Sequence, residues 1–184
     1  MKERRIGIIV GSVRRDSFSK KVARYLSDLL SGRFDAVFLD IGSLPMYDQD
    51  LDDGADVPPE WKRFRDEVEA LDAVLFVTPE YNRSMPPVLK NALDIASRPA
   101  GKNSWSGKPG AVVSVSPGSL GGFGANHHLR QSAACLNICM MQQPEAYIGG
   151  IAGSVDADGV SDKRTQDLLR RFSDAFADWI DRLA

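Results

Sequence analysis

The chain has 184 residues, of which 23 are Lys or Arg and 25 are Asp or Glu, so its formal net charge is −2. This balance provides no broad basic surface for nucleic acid, and no stretch approaches the ~20 consecutive apolar residues of a membrane span. The length favours one domain covering residues 1–184, and a hydrophobic fraction of 43 % is enough for a sizeable core. The apolar run near the N-terminus lacks a signal-peptide pattern, so we expect a cytoplasmic protein.

Strands and helices alternate along the first part of the chain. The continuous apolar run from Ile6 to Val10 predicts a strand that is covered on both faces. A polar loop follows, from Gly11 to Ser19. Apolar residues at helical spacing then predict a helix: Val22, Leu26, Leu29 and Leu30. A second strand is predicted at Ala36–Leu39, and the Pro-, Asp- and Gly-rich segment from Gly42 to Pro59 predicts a long surface loop.

The alternation continues through the middle of the chain. A helix is predicted from about Pro58, with proline in its first turn. The clearest further strand is Asp72–Thr78, which ends in a polar loop at Pro79–Ser84. Pro86 and Pro87 then open another helix. A fourth strand is predicted at Ala111–Val115.

The last part of the chain begins with a glycine-rich loop, Ser116–Gly124, and a helix predicted from about Asn126 to Cys139. Cys135 and Cys139 would share one face of that helix and are expected to be small buried side chains rather than metal ligands. A fifth strand is predicted at Glu145–Ile148. The buried face of a C-terminal helix is predicted from six residues: Leu168, Phe172, Ala175, Phe176, Trp179 and Leu183.

Five strands that alternate with helices indicate an α/β protein with a parallel sheet and helices on both faces. Five strands favour the flavodoxin-like three-layer sandwich with strand order 2-1-3-4-5 over the six-strand dinucleotide fold. Ligands bind beyond the carboxyl ends of the strands in such folds. We therefore expect function in the loops after strands one, three and four.

The first of these loops has the chemistry of a phosphate cradle. Ser12, Ser17 and Ser19 offer hydroxyls, Arg14 offers a guanidinium, and the helix start offers backbone N–H groups. The spacing matches neither G-x-G-x-x-G nor the phosphate loop of nucleoside triphosphatases. The same residues also fit a plainer interpretation, in which the serines cap the helix and the arginines are solvated.

Four segments together resemble the NAD(P)H-dependent FMN reductase family, which includes quinone and chromate reductases. The longest is P-E-Y-N-x-S-x-P-x-x-L-K-N-A-x-D, from Pro79 to Asp94. The others are G-S-V-R-x-x-S-F-S at Gly11–Ser19, G-K-P at Gly107–Pro109 and G-G-x-x-x-x-x-H-L-R-Q at Gly121–Gln131. The similarity extends over nearly the whole chain, in the expected order.

The resemblance implies a flavodoxin-like fold that binds FMN without a covalent bond. By position, the FMN phosphate and ribityl end would be held by Ser12, Arg14, Ser17, Phe18 and Ser19. The isoalloxazine ring would be bordered by Pro79, Glu80, Tyr81 and Asn82 on one side and by Ser116 and Gly118 on the other. No metal site is expected, and no catalytic side chain is required because FMN carries the redox chemistry.

The implied activity is transfer of hydride from NADPH or NADH, through FMN, to quinone-, azo- or chromate-type acceptors. A flavodoxin-type electron carrier and a flavin-free binding module are the alternatives, although a net charge of −2 argues against the charged docking face of a carrier. Arg130 and Glu145 are candidates for the interface of a homodimer or homotetramer.

Three further residues belong to the segments around the implied site. Arg83 departs from the aromatic residue that is frequent there in the family, and it could lie near the flavin, near the nicotinamide phosphate or at a subunit contact. His127 and His128 are expected to have surface or capping roles.

Overall fold

Six parallel strands form the central sheet of the computed structural model, which describes residues 4–54 and 56–183. The strands are β1 (Arg5–Val10), β2 (Asp35–Leu39), β3 (Ala73–Thr78), β4 (Pro109–Val115), β5 (Cys139–Met140) and β6 (Ala146–Ile148). Their order is β2-β1-β3-β4-β5, and β6 also pairs with β4. The predicted order 2-1-3-4-5 is therefore confirmed.

The fifth position of the sheet differs from the prediction because two short strands share it. β5 pairs with the start of β4, at Pro109 and Gly110, whereas β6 pairs with its end, from Val113 to Val115. Pro144 lies between the two short strands and has no N–H to donate to a ladder. The chain leaves the edge of β4 after β5 and pairs with β4 again at β6.

Helices cover both faces of the sheet. They are α1 (Phe18–Leu30), α2 (Gln49–Asp52), α3 (Pro59–Glu69), α4 (Pro87–Ala96), α5 (Phe123–Cys135) and α6 (Lys163–Leu183), with a 3₁₀ turn at Ile151–Gly153. Successive strand residues point to opposite faces, so Ile8 packs with α1 and α6 while Ile9 packs with α3, α4 and α5. This double burial explains the continuous apolar runs of β1 and β3.

The helix predicted from Asn126 to Cys139 lies earlier in the chain. α5 ends at Cys135, and Asn137 adopts the left-handed conformation (φ 57°) that commonly follows a helix end. Cys139 is therefore in β5, and the prediction that the two cysteines share a helix face is wrong. Cys135 is exposed and Cys139 is half-buried, so the prediction that both are buried is also wrong.

The end of α6 corrects one further residue. Phe172 and Phe176 are fully buried, as the apolar spacing predicts. Leu183, which was assigned to the same face, is 44 % exposed. It is the last residue of the helix, and the buried residues of α6 end at Ile180. No helix in the described ranges is long and apolar enough to cross a membrane.

The segment predicted as a surface loop from Gly42 to Pro59 is bound closely to the helices beneath it. Asn91 of α4 accepts from the N–H of Tyr47 at 2.8 Å and donates to the carbonyl of Pro45 at 3.0 Å. Both guanidinium NH groups of Arg65 donate to the Asp52 carboxylate at 2.8 Å. The sequence showed the turn-forming residues but could not show these long-range bonds.

We expect Asp52→Ala to lower the free energy of unfolding by about 3 kcal/mol, since it leaves a buried guanidinium without its partner. The side chains of Arg65 and Asp52 are only 12 % and 3 % exposed. Urea denaturation measures the change. Asp53→Ala, at an exposed neighbour, is the control and should change stability by no more than about 0.5 kcal/mol. Equal stability of the two variants would contradict the prediction.

Candidate functional site

Three loops meet at the carboxyl edge of the sheet, after β1, β3 and β4. We call them the first loop (residues 11–19), the second loop (79–86) and the third loop (116–122). The first loop lies directly on the end of β3, where the N–H of Gly11 donates to the carbonyl of Val77 at 2.9 Å. A Cβ atom on Gly11 would lie 2.7 Å from the hydroxyl oxygen of Thr78. Any larger residue at position 11 would therefore require the Thr78 side chain to move.

The backbone of the first loop carries many free donors. Within the described part of the chain, the N–H groups of residues 12–19 donate to no protein acceptor. The run ends in the first turn of α1, where the helix dipole adds positive potential. Consecutive free amides at a helix N-terminus are a ready binding site for a phosphate group.

The serine side chains of the first loop divide into two roles. Ser17 caps α1, because its hydroxyl oxygen accepts from the N–H of Lys20 at 3.4 Å. The plainer interpretation from the sequence thus accounts for this residue. Ser12 is also buried, at 5 % exposure. The Ser19 hydroxyl is buried and has no hydrogen-bond partner among the described residues, which fits a group whose partner is a ligand.

The remaining two residues predicted in the first loop differ in accessibility. Arg14 is exposed and makes no ion pair with a described carboxylate, so its guanidinium is available to an anion. Phe18 packs its ring against the core shared by α1 and α6. Phe18 is only half-buried there, so both its side chain and its backbone N–H can contact a ligand.

The second loop contains a tight two-residue turn. Tyr81 and Ser84 exchange two backbone hydrogen bonds of 2.9 Å. Both residues between them are left-handed, with φ 48° at Asn82 and φ 68° at Arg83, as a type I′ turn requires. The turn presents Tyr81 at the surface, 44 % exposed.

The carboxylate of Glu80 joins the second loop to helix α5. It accepts from the N–H of Ala125 at 3.1 Å, near the positive end of that helix. Arg83 lies 3.6 Å from the other carboxylate oxygen, with a side chain that is 72 % exposed. The sequence placed Glu80 beside the ring of a cofactor. The structure uses its side chain as a link between loops and leaves its N–H free of any described protein acceptor.

The third loop is supported from below by the segment after β6. Ser116 donates its N–H to the carbonyl of Ile148 at 2.9 Å, and its hydroxyl oxygen accepts from the N–H of Gly118 at 3.1 Å. A Cβ atom on Gly149 would lie 2.4 Å from the carbonyl oxygen of Ser119. Ser116 and Gly118 are thus placed by close backbone packing, opposite the second loop across the end of β4.

A buried chain of polar side chains, which the sequence did not reveal, supports the third loop. The Ser114 hydroxyl donates to the carbonyl of Gly121 at 2.7 Å and accepts from the Asn126 amide at 3.2 Å. Arg130 donates to the Asn126 oxygen at 3.0 Å and to the carbonyl of Met141 at 2.8 Å. The only sequence signal for this series of hydrogen-bonded side chains is the G-G-x-x-x-x-x-H-L-R-Q segment.

The two histidines lie outside the three loops. His127 and His128 are both exposed on α5, as expected. A ring nitrogen of His127 lies 3.0 Å from the Tyr147 hydroxyl, and one of His128 lies 2.9 Å from the Ser84 hydroxyl. Within residues 4–54 and 56–183, no cluster of three or more His, Cys, Asp or Glu side chains forms a metal site.

A parallel sheet of order 2-1-3-4-5 with donors at the ends of β1, β3 and β4 defines the class of flavodoxin-like proteins. Residues 4–153 match the sequence model described as NADPH-dependent FMN reductase. The chain belongs to the NADPH-dependent FMN reductase family. The donor set fits FMN, because the free amides and the unpartnered Ser19 hydroxyl suit its phosphate.

Named relatives agree with this assignment. A quinone reductase of Pseudomonas putida is 53 % identical, with 95 % of this chain and 94 % of the relative covered. A 2-hydroxy-1,4-benzoquinone reductase of a Burkholderia species is 46 % identical, with 96 % of each covered. The structure of FerB, a flavoenzyme NAD(P)H:(acceptor) oxidoreductase from Paracoccus denitrificans, superposes with a TM-score of 0.90 at 44 % identity, over 97 % of this chain and 98 % of that one.

We expect Arg14→Ala to weaken FMN binding by about 1.5–3 kcal/mol, the range for hydrogen bonds between charged groups. Isothermal titration of the apoprotein with FMN measures the effect. Arg15→Ala is the matched control, since Arg15 is the adjacent exposed arginine and occupies a variable position of the motif. Equal dissociation constants for the two variants would remove Arg14 from the phosphate site.

Ser19→Ala should act in opposite directions on stability and on binding. Removing an unpartnered buried hydroxyl is expected to stabilise the apoprotein by up to about 1 kcal/mol, while FMN binding weakens because a phosphate donor is lost. Ser17→Ala, which removes the cap, should instead destabilise it by about 1 kcal/mol. Urea denaturation and FMN titration measure both quantities. A loss of stability in Ser19→Ala equal to that in Ser17→Ala would refute the assignment.

Proposed function

We propose that this protein is an FMN-dependent NAD(P)H oxidoreductase that reduces quinones, acting as an enzyme and not only as an electron carrier. Bound FMN supplies the chemistry by accepting hydride from NADPH or NADH and passing the electrons to an acceptor. The observation that carries the proposal is the run of free N–H groups at residues 12–19 beside the second and third loops. The quinone substrate is supported by the quinone reductases among the relatives.

The chain's own contribution is binding and orientation. Ser12, Arg14 and Ser19, with the backbone N–H groups of Ser17 and Phe18, hold the phosphate at the first loop. The free N–H groups of Glu80 and Asn82 are hydrogen-bond donors toward the polar edge of the ring, where negative charge develops on reduction.

The rest of the proposed ring site comes from the second and third loops. Pro79 and Tyr81 border the ring on one side, and Ser116 and Gly118 approach it from the other. Both exposed histidines are hydrogen-bonded to neighbours on the flank of α5, so we assign no side chain as a catalytic acid or base.

The acceptors include azo compounds and chromate in addition to quinones, because the site requires only access to one face of the ring. The partners are therefore small molecules rather than nucleic acid, in keeping with a net charge of −2. We also propose that residues 1–184 act as a single domain and that the protein works in the cytoplasm. Two free cysteines are compatible with that reducing compartment.

We further propose a homodimer or homotetramer in which the surface around Arg130 and Glu145 takes part. Two of the Arg130 hydrogen bonds point inward, so its role there is to support the surface. The apolar contact would come from Leu120 in the third loop and Phe123 at the start of α5, which are 57 % and 51 % exposed.

The activity is tested by anaerobic mixing of the FMN-loaded protein with NADPH or NADH, followed by addition of a benzoquinone. We expect bleaching of the flavin absorbance by the nicotinamide and its return with the quinone. In steady state, Arg14→Ala should lose turnover at low FMN and recover it at saturating FMN, because Arg14 binds the phosphate and not the reacting ring. Flavin that binds but is not reduced by either nicotinamide would instead indicate an electron carrier.

A further inference from the structure

A cleft of about 510 Å³ opens beside the first loop, between α1 and the end of β2. We call it the α1–β2 cleft; it is lined by Val13, Lys20, Arg24, Phe38, Asp40 and Gly42, among others. Ser12 also borders it, so the cleft and the first loop share a wall. None of the expectations from the sequence and none of the assigned FMN contacts accounts for its charged and aromatic residues.

The charges in the cleft favour an anion. Lys20 and Arg24 lie one helical turn apart on α1, and neither forms an ion pair with a carboxylate in the described part of the chain. The one lining carboxylate, Asp40, already accepts from the N–H of Gly42 at 2.9 Å. Hydrogen bonds from Gly42 and from the Ser43 side chain lower the pKa of Asp40. Asp40 therefore stays ionised, and the lining carries two cations against one carboxylate, a net positive charge.

The other walls are apolar and uncovered. Phe38 on the edge strand β2 is 49 % exposed, and Val13 at the tip of the first loop is 56 % exposed. The ring of Phe38 offers a flat surface on which a planar base can stack. Two unpaired cations beside an apolar and aromatic surface suit a phosphorylated nucleoside better than a lone inorganic anion.

The position of the cleft relates it to the proposed nicotinamide substrate. Adjacent strands lie ~4.8 Å apart, and the order β2-β1-β3-β4 places the cleft beside the first loop, on the side away from the second and third loops. A dinucleotide whose nicotinamide stacks on the ring can extend across the first loop. Its adenosine half then reaches the end of β2.

We propose that the α1–β2 cleft binds the adenosine 2′-phosphate half of NADPH, with Lys20 and Arg24 holding the 2′-phosphate and Phe38 contacting the adenine. This inference rests on the proposed NAD(P)H oxidoreductase function and adds to it a preference for NADPH over NADH. The preference follows because NADH has no 2′-phosphate and cannot use the two cations.

The test compares two double variants that remove the same charge from different cavities. Lys20→Ala/Arg24→Ala empties the α1–β2 cleft of its cations. Arg164→Ala/Arg171→Ala is the matched control, in the 870 Å³ cavity beside Ser119. The FMN-loaded proteins are assayed for kcat/KM with NADPH and with NADH at saturating quinone, and 2′,5′-ADP binding is measured by calorimetry.

We expect the first variant to lose at least about tenfold in kcat/KM for NADPH, the effect of one charged hydrogen bond or more. Its kcat/KM for NADH should stay within about threefold, and its FMN content should equal that of the wild type. Binding of 2′,5′-ADP should be detectable in the wild type, competitive with NADPH, and lost in this variant only. The control variant should retain both properties.

Several results would overturn the inference. An equal loss of kcat/KM with NADPH and NADH, or loss of FMN from Lys20→Ala/Arg24→Ala, would indicate that the two cations belong to the FMN site. Selective loss of NADPH use in the control variant would place the 2′-phosphate in the other cavity. Inorganic phosphate that binds as tightly as 2′,5′-ADP would make the cleft a general anion site. If neither nicotinamide reduces the flavin in wild-type protein while 2′,5′-ADP still binds, the proposed function fails and the nucleotide cleft remains.

Discussion

The backbone N–H groups of residues 12–19, which have no described protein acceptor, are the feature on which the site depends. Residues 13–16 are exposed, so solvent can hydrate their N–H groups in the free protein, and an anionic ligand can replace that water. Gly11 permits this loop conformation, because its lack of a side chain lets the loop lie against Thr78 at the end of β3. The proposed phosphate contacts depend on this placement, and the α1–β2 cleft lies beside the same loop.

The second and third loops are rigid for a different reason, since each is tied to a neighbour. Glu80 links the second loop to the start of α5, and Ser114 links the third loop to the interior through Asn126. Loops that are fixed before a ligand arrives lose less conformational entropy when it binds. A flat ring with defined donors and acceptors at its edge requires such preorganisation, whereas a flexible pair of loops would weaken both binding and orientation.

The same edge of the sheet can serve two nucleotides because adjacent strand ends present different chemistry. The ends of β1, β3 and β4 offer backbone donors and small residues. The end of β2 offers Phe38 and Asp40, facing Lys20 and Arg24 across the cleft. Separate contacts for the cofactor and the reductant would let mutations at β2 change the choice of reductant without changing FMN affinity. The quinone, which needs neither contact, would then be limited only by access to the ring.

The sequence by itself determined the alternation of elements, the order of the sheet and the family. Apolar periodicity and the P-E-Y-N segment are both read from residues close together in the chain: the hydrophobic effect buries the periodic apolar residues, and the P-E-Y-N segment is a contiguous motif. Only the tertiary structure decided that Cys139 lies in a strand, that Asp52 binds Arg65, and that Glu80 turns toward Ala125. These outcomes depend on contacts between residues far apart in the chain. The local sequence pattern therefore does not predict which distant carboxylate will bind a helix end or a guanidinium.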